Sequence, residues 1–274
     1  MSGLDSYTAG MTEVPENLFH TVLTVVDLHN DPSGGTRSYY VLGTHGTLEA
    51  AKVYSTVALQ ELGFHRDDFD DYAARPAPGA GAAASASTAA AVEQAVTAEA
   101  WPHGEGVLLF ARAPAGHEFT IRIDTTPNNE SLRARAGSTG SGGGALLLPD
   151  GARFLHYVLQ TTVDYNVDRT GAAQTAEIEG AYVHRADAWT AAHRCLDRDD
   201  YAEYDSRGDA EFLGEWPYGE DVVVHAVADT GQNFQVAVKT PPHGDEKRRA
   251  ELKKTVKRHK AEEAKARVGR DMTD

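Results

Sequence analysis

The feature that most constrains the fold of this chain is an internal repeat. Residues 101–127 align without a gap with residues 216–242, and eleven of the 27 aligned positions are identical. Unrelated segments of ordinary composition would agree at about one position in sixteen. Positions that differ keep their character, as where Ile121 faces Val236, both residues suited to strands. The match predicts a duplicated structural unit rather than one large domain.

Two shorter blocks upstream of this repeat recur in the same order, which strengthens the case for duplication. Asp27 meets Asp164 only if the second copy carries one extra residue, and such an insertion would form a β-bulge. The two pairs of blocks are 19–23 (FHTVL) with 155–159 (LHYVL), and 67–75 (DDFDDYAAR) with 199–207 (DDYAEYDSR).

Local patterns give the order of elements within one copy. Residues 18–28 and 38–44 are rich in strand-forming residues and flank a turn, so they predict a β-hairpin. Residues 47–62 have helical periodicity and begin at a capping threonine. Residues 107–113 and 118–125 predict a second hairpin. The fold class is therefore α+β, a tandem duplication of a ββαββ module, each module a four-stranded, mostly antiparallel sheet with one covering helix.

The last strand of each copy alternates between apolar and polar residues, which is typical of a sheet with one buried face. We expect the helix to cover that face and the opposite face to meet solvent. The residues expected to point inward are Phe119, Ile121, Ile123, Phe234, Val236 and Val238.

Composition divides the remaining chain into connecting and terminal segments. A stretch rich in Ala, Gly and Ser cannot bury a core, and a Gly- and Ser-rich stretch between the copies is typical of a linker. We assign 1–16 to an N-terminal extension, 17–127 to module one with a flexible insert at 76–98, 128–152 to a linker, 153–242 to module two and 243–274 to a charged C-terminal helix or tail.

The net charge of −15 conceals a basic tail on an acidic body. Residues 245–270 carry eleven Lys/Arg against five Asp/Glu, a net of +6. A solvated charged helix explains this segment, and the alternative is contact with a polyanion. The residues for that contact are Lys247, Arg248, Arg249, Lys253, Lys254, Lys257 and Arg258.

Three observations bear on the compartment. No apolar run approaches the roughly 20 residues that a membrane span needs. The first fifteen residues lack the pattern of a secretory signal. Cys195 is the only cysteine, so no intramolecular disulfide can form. We expect an intracellular protein, cytoplasmic or nuclear.

The chain contains none of the common catalytic motifs: no P-loop, dinucleotide fingerprint, nucleophile elbow or zinc-protease motif. The acidic block 67–72 lacks the glycine and the terminal glutamate of a calcium loop, so it favours a capped short helix, with Phe69 and Tyr72 packed inward, over a metal site. We expect neither metal nor cofactor, and we favour a protein without enzymatic activity.

The most distinctive candidate site is the motif WPHGE at 101–105, which recurs as WPYGE at 216–220. We call both copies the Trp–Pro motifs. A tryptophan wall beside a carboxylate suits a ligand pocket, but retention of the motif in both copies favours the structural explanation, a buried Trp beside a Pro/Gly turn. Only His20 and His156 align among the twelve histidines. The candidate ligand-binding residues are Trp101, Glu105, Trp216, Glu220, His20 and His156.

Two functions follow from these features. The favoured one is a non-enzymatic binding or interaction protein built from two related α/β modules, with an unknown protein or small molecule as its ligand. The alternative is a small-molecule enzyme whose cleft lies between the modules and uses the candidate Trp, Glu and His residues.

Overall fold

The computed structural model describes residues 11–75, 101–137, 142–207 and 216–242, and within them it is an α+β protein. These ranges form three antiparallel sheets and two α-helices. The insert expected at 76–98 and the tail at 243–274 lie outside the described residues. The strands are β1 Thr12–Glu13, β2 Asn17–Asp27, β3 Arg37–His45, β4 Asp71–Ala74, β5 Val107–Arg112, β6 His117–Pro127, β7 Arg133–Arg135, β8 Leu146–Leu147, β9 His156–Asp164, β10 Gln174–Tyr182, β11 Glu203–Ser206, β12 Val222–Val227 and β13 Gln232–Lys239, and the helices are α1 Leu48–Glu61 and α2 Arg185–Arg194.

The two large sheets have the same strand order. The first sheet runs β3-β2-β6-β5-β4 and the second β10-β9-β13-β12-β11. In each, the helix follows the first hairpin, as the sequence patterns predict. Helix α1 begins after Thr47, whose side chain accepts a hydrogen bond from the Ala50 backbone N–H at 3.3 Å.

Each large sheet has five strands rather than the expected four. The additional strand comes from the end of the acidic block, where β4 pairs with β5 and β11 pairs with β12. A short 3₁₀ helix precedes it in both halves, at Arg66–Asp68 and Arg198–Asp200. The extra strand forms because Tyr72 reaches the core of the first sheet, and pairing then satisfies the backbone of this short segment.

The sheet register corrects the alignment of the strands that open each half. Strand β2 pairs with β6 without a shift, and β9 pairs with β13 without a shift. When Phe119 is matched with Phe234, this register makes Tyr157, not His156, the counterpart of His20. The bulge expected in β9 is absent from its pairing with β13, because the one-residue offset runs along the whole strand. Register shifts occur instead within the pairing of β9 with β10 and within the pairing of β2 with β3.

One face of each large sheet packs against its helix. In the first sheet, Leu23, Leu42, Phe119 and Ile121 form a core with Leu59 of α1. In the second, Val158, Val236 and Val238 pack with Ala188 and Ala192 of α2. Of the six side chains expected to point inward, Phe119, Ile121, Val236 and Val238 are fully buried, while Ile123 and Phe234 are partly buried.

The opposite faces of the two sheets pack against each other instead of meeting solvent. One buried cluster joins Val22 and Val41 of the first sheet to Leu159 and Ile178 of the second. The described residues are therefore layered as helix, sheet, sheet, helix. Polar side chains on this face of β6 predict exposure to solvent, but their hydrogen bonds are made to the other sheet instead. Arg122 donates to the Ala176 carbonyl, and the Asp124 carboxylate accepts from the Ile178 N–H at 2.9 Å.

The third sheet is formed by segments that flank the two halves. Strand β7 pairs with β1 on one side and with β8 on the other. Leu132 and Ala134 are buried there, and the Asn128 side chain donates to the carbonyls of Pro15 and Leu132. Much of the segment 128–152 is thus ordered against the large sheets because it carries apolar residues as well as glycines. No helix among the described residues has the length and apolarity needed to cross a membrane.

Candidate functional site

A cleft of about 650 Å³ lies between the two large sheets. We call it the inter-sheet cleft. Its volume falls within the range of known small-molecule sites, roughly 300 to 1,000 Å³. The first sheet contributes Val25, Asp27, Arg37, Tyr39, Tyr40, His117 and Phe119, and the second contributes Leu159, Thr161, Val163, Asp221, Val222, Gln235, Ala237 and Lys239.

The cleft lies on a face of β13 whose side chains differ in size and charge from those at the matched positions of β6. The positions of Arg122 and Asp124, which link β6 to β10, are matched on β13 by Ala237 and Lys239. Ala237 removes the bulk of an arginine. Lys239 replaces an acceptor with a donor, and its ammonium pairs with the Asp221 carboxylate at 3.1 Å. Both β13 residues line the cleft.

A second ionic contact in the cleft involves Asp27 and His117. The carboxylate of Asp27 lies 3.5 Å from His117 Nε2 and accepts hydrogen bonds from the backbone and side chain of Asn30. Partial burial acts to raise the pKa of Asp27, but the Asn30 hydrogen bonds and the nearby His117 outweigh it, so the pKa lies below its ordinary value. The carboxylate is therefore ionised and already engaged within the protein.

The turns before β3 and before β10 meet at the cleft. Gln174 Nε2 donates to the carbonyls of Gly35 and Gly171, at 2.7 and 2.8 Å, while Tyr39 Oη donates to Gln174 Oε1 at 3.2 Å. A Cβ atom at Gly35 would lie 2.3 Å from the Thr170 carbonyl oxygen, so only glycine permits this approach. These contacts hold the two turns together beside the cleft.

His20 lies in the contact between the sheets and is completely buried. Its Nδ1 is 2.9 Å from Thr44 Oγ1 and its Nε2 is 2.8 Å from Thr126 Oγ1. Burial, with a smaller effect from His45, lowers the pKa of His20 to about 3, so the ring is neutral. Thr44 Oγ1 also lies 2.7 Å from the hydroxyl of Tyr157. This network satisfies polar groups inside the core.

His156 is separated from this network by the sheet itself. It is a neighbour of Tyr157 in β9 and shares the face of Val158, which packs towards α2. Its ring contacts Phe154 edge-on at 5.3 Å. Burial lowers the pKa of His156, and nearby Arg185 and His184 act in the same direction. The two aligned histidines are therefore not brought together.

The Trp–Pro motifs form aromatic stacks outside the cleft. In the first half, His103 stacks on Phe110 with ring centroids 4.1 Å apart, and Trp101 contacts His103 edge-on at 4.9 Å. The guanidinium of Arg75 lies 5.2 Å from the Trp101 ring. Glu105 is exposed. The first Trp–Pro motif thus packs over a face of its own sheet.

The second half repeats this arrangement with the ring types exchanged. Tyr218 stacks on His225 at 3.9 Å, and Trp216 contacts Tyr218 edge-on at 5.0 Å. Arg207 lies over the Trp216 ring and donates to the carbonyl of the exposed Glu220. These contacts favour the structural explanation of both Trp–Pro motifs. Ligand binding by their residues stays a prediction.

None of the six candidate residues from the sequence is among the described residues that line the cleft. The six candidates are identities between the aligned segments, whereas several cleft residues, such as Arg37, Ala237 and Lys239, lie where the matched residue differs. Arg37 and Gln174 occupy matched positions, as do Asp124 and Lys239. A search for changes of charge and size between the two copies would have found these positions.

Comparison of the chain with protein-family models, curated proteins and solved structures gave no match. Within the described ranges, no group of three or more His, Cys, Asp and Glu side chains is placed to hold a metal ion. The chemistry of the cleft is therefore the basis on which a function can be assigned.

Proposed function

We propose that this chain is a non-enzymatic binding protein, formed by tandem duplication of one α/β module, that holds a small-molecule ligand in the inter-sheet cleft. The shared order β3-β2-β6-β5-β4 and β10-β9-β13-β12-β11 supports the duplication. So do the helix at the same place in each half and the repeated sequence blocks.

The observation that carries the binding proposal is the unequal packing of two matched strands. On β6, Arg122 and Asp124 reach across to backbone groups of β10. On β13, Ala237 and Lys239 line an open cleft instead. The side chains that fill the contact on one side are thus missing on the other, and the space they leave is large enough for a small molecule. We therefore assign ligand binding to this one-sided cleft.

The test is a ligand-observed NMR screen of small polar and amphipathic molecules against the full chain. Ala237→Phe places a ring in the cleft, and we expect it to abolish the binding of hits. Ala202→Phe is the matched control because Ala202 is exposed and does not line the cleft. Thermal melting of both variants reports whether they are folded. Hits that bind Ala237→Phe as tightly as the unmodified chain would place binding elsewhere and overturn the proposal.

A turnover screen separates the binding protein from the enzyme alternative. We expect no hydrolase or transferase substrate to be consumed. Turnover that Ala237→Phe abolishes and Ala202→Phe preserves would assign catalysis to the cleft and replace the binding proposal.

A further inference from the structure

We infer that the ligand of the inter-sheet cleft is a small molecule with an anionic head, most simply a carboxylate, that is bound by Arg37, and an apolar body that extends along β9 and β13. This inference rests on the proposed function and adds the chemical class of the ligand.

The charged side chains of the cleft leave Arg37 as the cation available to a ligand. Ion pairs among the described residues join Arg112 to Glu118, His117 to Asp27 and Lys239 to Asp221. Arg37 takes part in none of them. The other charged groups of the lining have partners inside the protein, so a ligand gains least by displacing them.

The hydrogen bonds of Arg37 leave most of its donors unused. Its Nε donates to the Gly34 carbonyl at 2.9 Å, which fixes the stem of the side chain, and a side-chain hydrogen bond to Tyr39 opposes the rise that burial causes in the pKa of Tyr39. A guanidinium has five N–H donors and binds a carboxylate through two parallel hydrogen bonds. Arg37 is also half-buried, and a charge-assisted hydrogen bond is stronger there than at a fully exposed position.

Asp168, in the turn that follows β9, is a carboxylate on which the charge of Arg37 acts. Hydrogen bonds from Thr170 lower the pKa of Asp168, and Arg37 contributes to the same shift. Asp168 Oδ1 accepts from the backbone and the hydroxyl of Thr170, at 2.8 and 2.6 Å. The carboxylate is thus held by its own turn rather than paired with Arg37.

The apolar part of the cleft continues along the second sheet. Leu159, Val163, Val222 and Ala237 line it. Tyr165, which also lines it, is 45% exposed although it is a large aromatic residue. An apolar body would bury this surface while a carboxylate met Arg37, and burial contributes about 25 cal/mol per Å² of apolar area.

The experiment measures by calorimetry the binding of three probes that share one chain and differ in the head: octanoate, 1-octanol and octylamine. We expect octanoate to bind most tightly to the unmodified chain. Arg37→Gln should weaken octanoate binding about tenfold or more and leave octanol binding unchanged, since it removes a charge-assisted pair. Arg37→Lys should give an intermediate affinity, because it keeps the charge but loses the two-point contact.

Arg169→Gln is the matched control, because Arg169 is an exposed arginine of the same turn that does not line the cleft. It should leave octanoate binding within about twofold, since an exposed charge is screened by salt. If Arg169→Gln weakens octanoate as much as Arg37→Gln does, general electrostatic attraction replaces the contact we propose.

The outcomes distinguish this inference from the proposed function. Equal binding of octanol and octanoate, unchanged in Arg37→Gln but abolished in Ala237→Phe, overturns the anionic head and leaves the cleft as a binding site. Probe binding that persists in Ala237→Phe overturns both. Failure of all three probes to bind a chain whose cleft binds other NMR hits overturns the ligand class alone.

Discussion

The ring of Tyr157 meets the ring of His20 edge-on, with centroids 5.6 Å apart, and the two residues occupy matched positions of the two sheets. Matched residues can contact each other only where the two halves face each other. Thr44 bridges the pair, since its hydroxyl lies within hydrogen-bond distance of both. These three polar side chains lie inside the contact between the sheets.

Loss of the Tyr157 hydroxyl should weaken this contact. We expect Tyr157→Phe to lower the free energy of unfolding by about 1 kcal/mol, the net value of one buried hydrogen bond. Urea unfolding measures the change. Tyr165→Phe is the control and should be neutral, because Tyr165 is largely exposed. A neutral result for Tyr157→Phe would mean that its hydroxyl adds nothing to the contact.

Acid should destabilise the protein through His20. The pKa of His20 is about 3 in the folded chain against 6.5 when unfolded, so the unfolded chain takes up the proton first. The contribution of His20 to the free energy of unfolding is therefore fully present above about pH 6.5. It is lost progressively as the pH is lowered towards 3. At pH 4.5, two pH units below the unfolded pKa, the loss from His20 amounts to about 3 kcal/mol.

The measurement is the free energy of unfolding against pH for three chains. His20→Gln should flatten the fall between pH 6.5 and 4.5, and the exposed His29→Gln should leave it unchanged. Some slope will persist in His20→Gln because burial also lowers the pKa of His45, to about 4. An identical slope in the unmodified chain and His20→Gln would contradict a buried, neutral His20.

Helix α2 offers a stabilising substitution. Its N-cap residue, His184, makes no side-chain capping hydrogen bond, whereas Thr47 at the matched position of α1 does. His184→Thr should raise the free energy of unfolding by about 1 kcal/mol by satisfying one N–H of the first turn. Thermal or urea unfolding tests this, with His184→Ala as the control that gains no cap. Equal stability of the two variants would count against the prediction.

The basic tail makes a separate prediction that depends on sequence alone. Deletion of residues 245–274 should abolish salt-sensitive binding to a polyanion such as heparin, because the net positive charge lies there. The melting temperature should change by less than about 2 °C. The control replaces Lys253, Lys254, Lys257 and Arg258 with Gln and should reproduce the loss of binding. A large fall in melting temperature on deletion would show that the tail belongs to the core.

The order of strands and helix in each half was accessible from sequence because it depends on local patterns. Alternation along 118–125 and helical spacing along 47–62 reflect the neighbours each segment buries. The sequence patterns did not predict the fifth strand of each sheet, because Asp71–Ala74 and Glu203–Ser206 are short and poor in β-branched residues.

The contact between the sheets escaped for a different reason. Arg122 and Asp124 are typical of a solvent-facing position, and only the backbone groups of β10, distant in sequence, make them compatible with burial. The cleft was equally hidden, because it depends on Ala237 being smaller than its matched residue. Neither feature has a local pattern.

The cluster that joins Leu18 and Val22 to Tyr157 and Leu159 also decides how the protein comes apart. Each sheet would expose that cluster to water if its partner unfolded, so we expect the two halves to unfold together. Calorimetry should therefore show one melting transition with equal calorimetric and van't Hoff enthalpies. Although the sequence repeats, we expect the pair of sheets to be the thermodynamic unit.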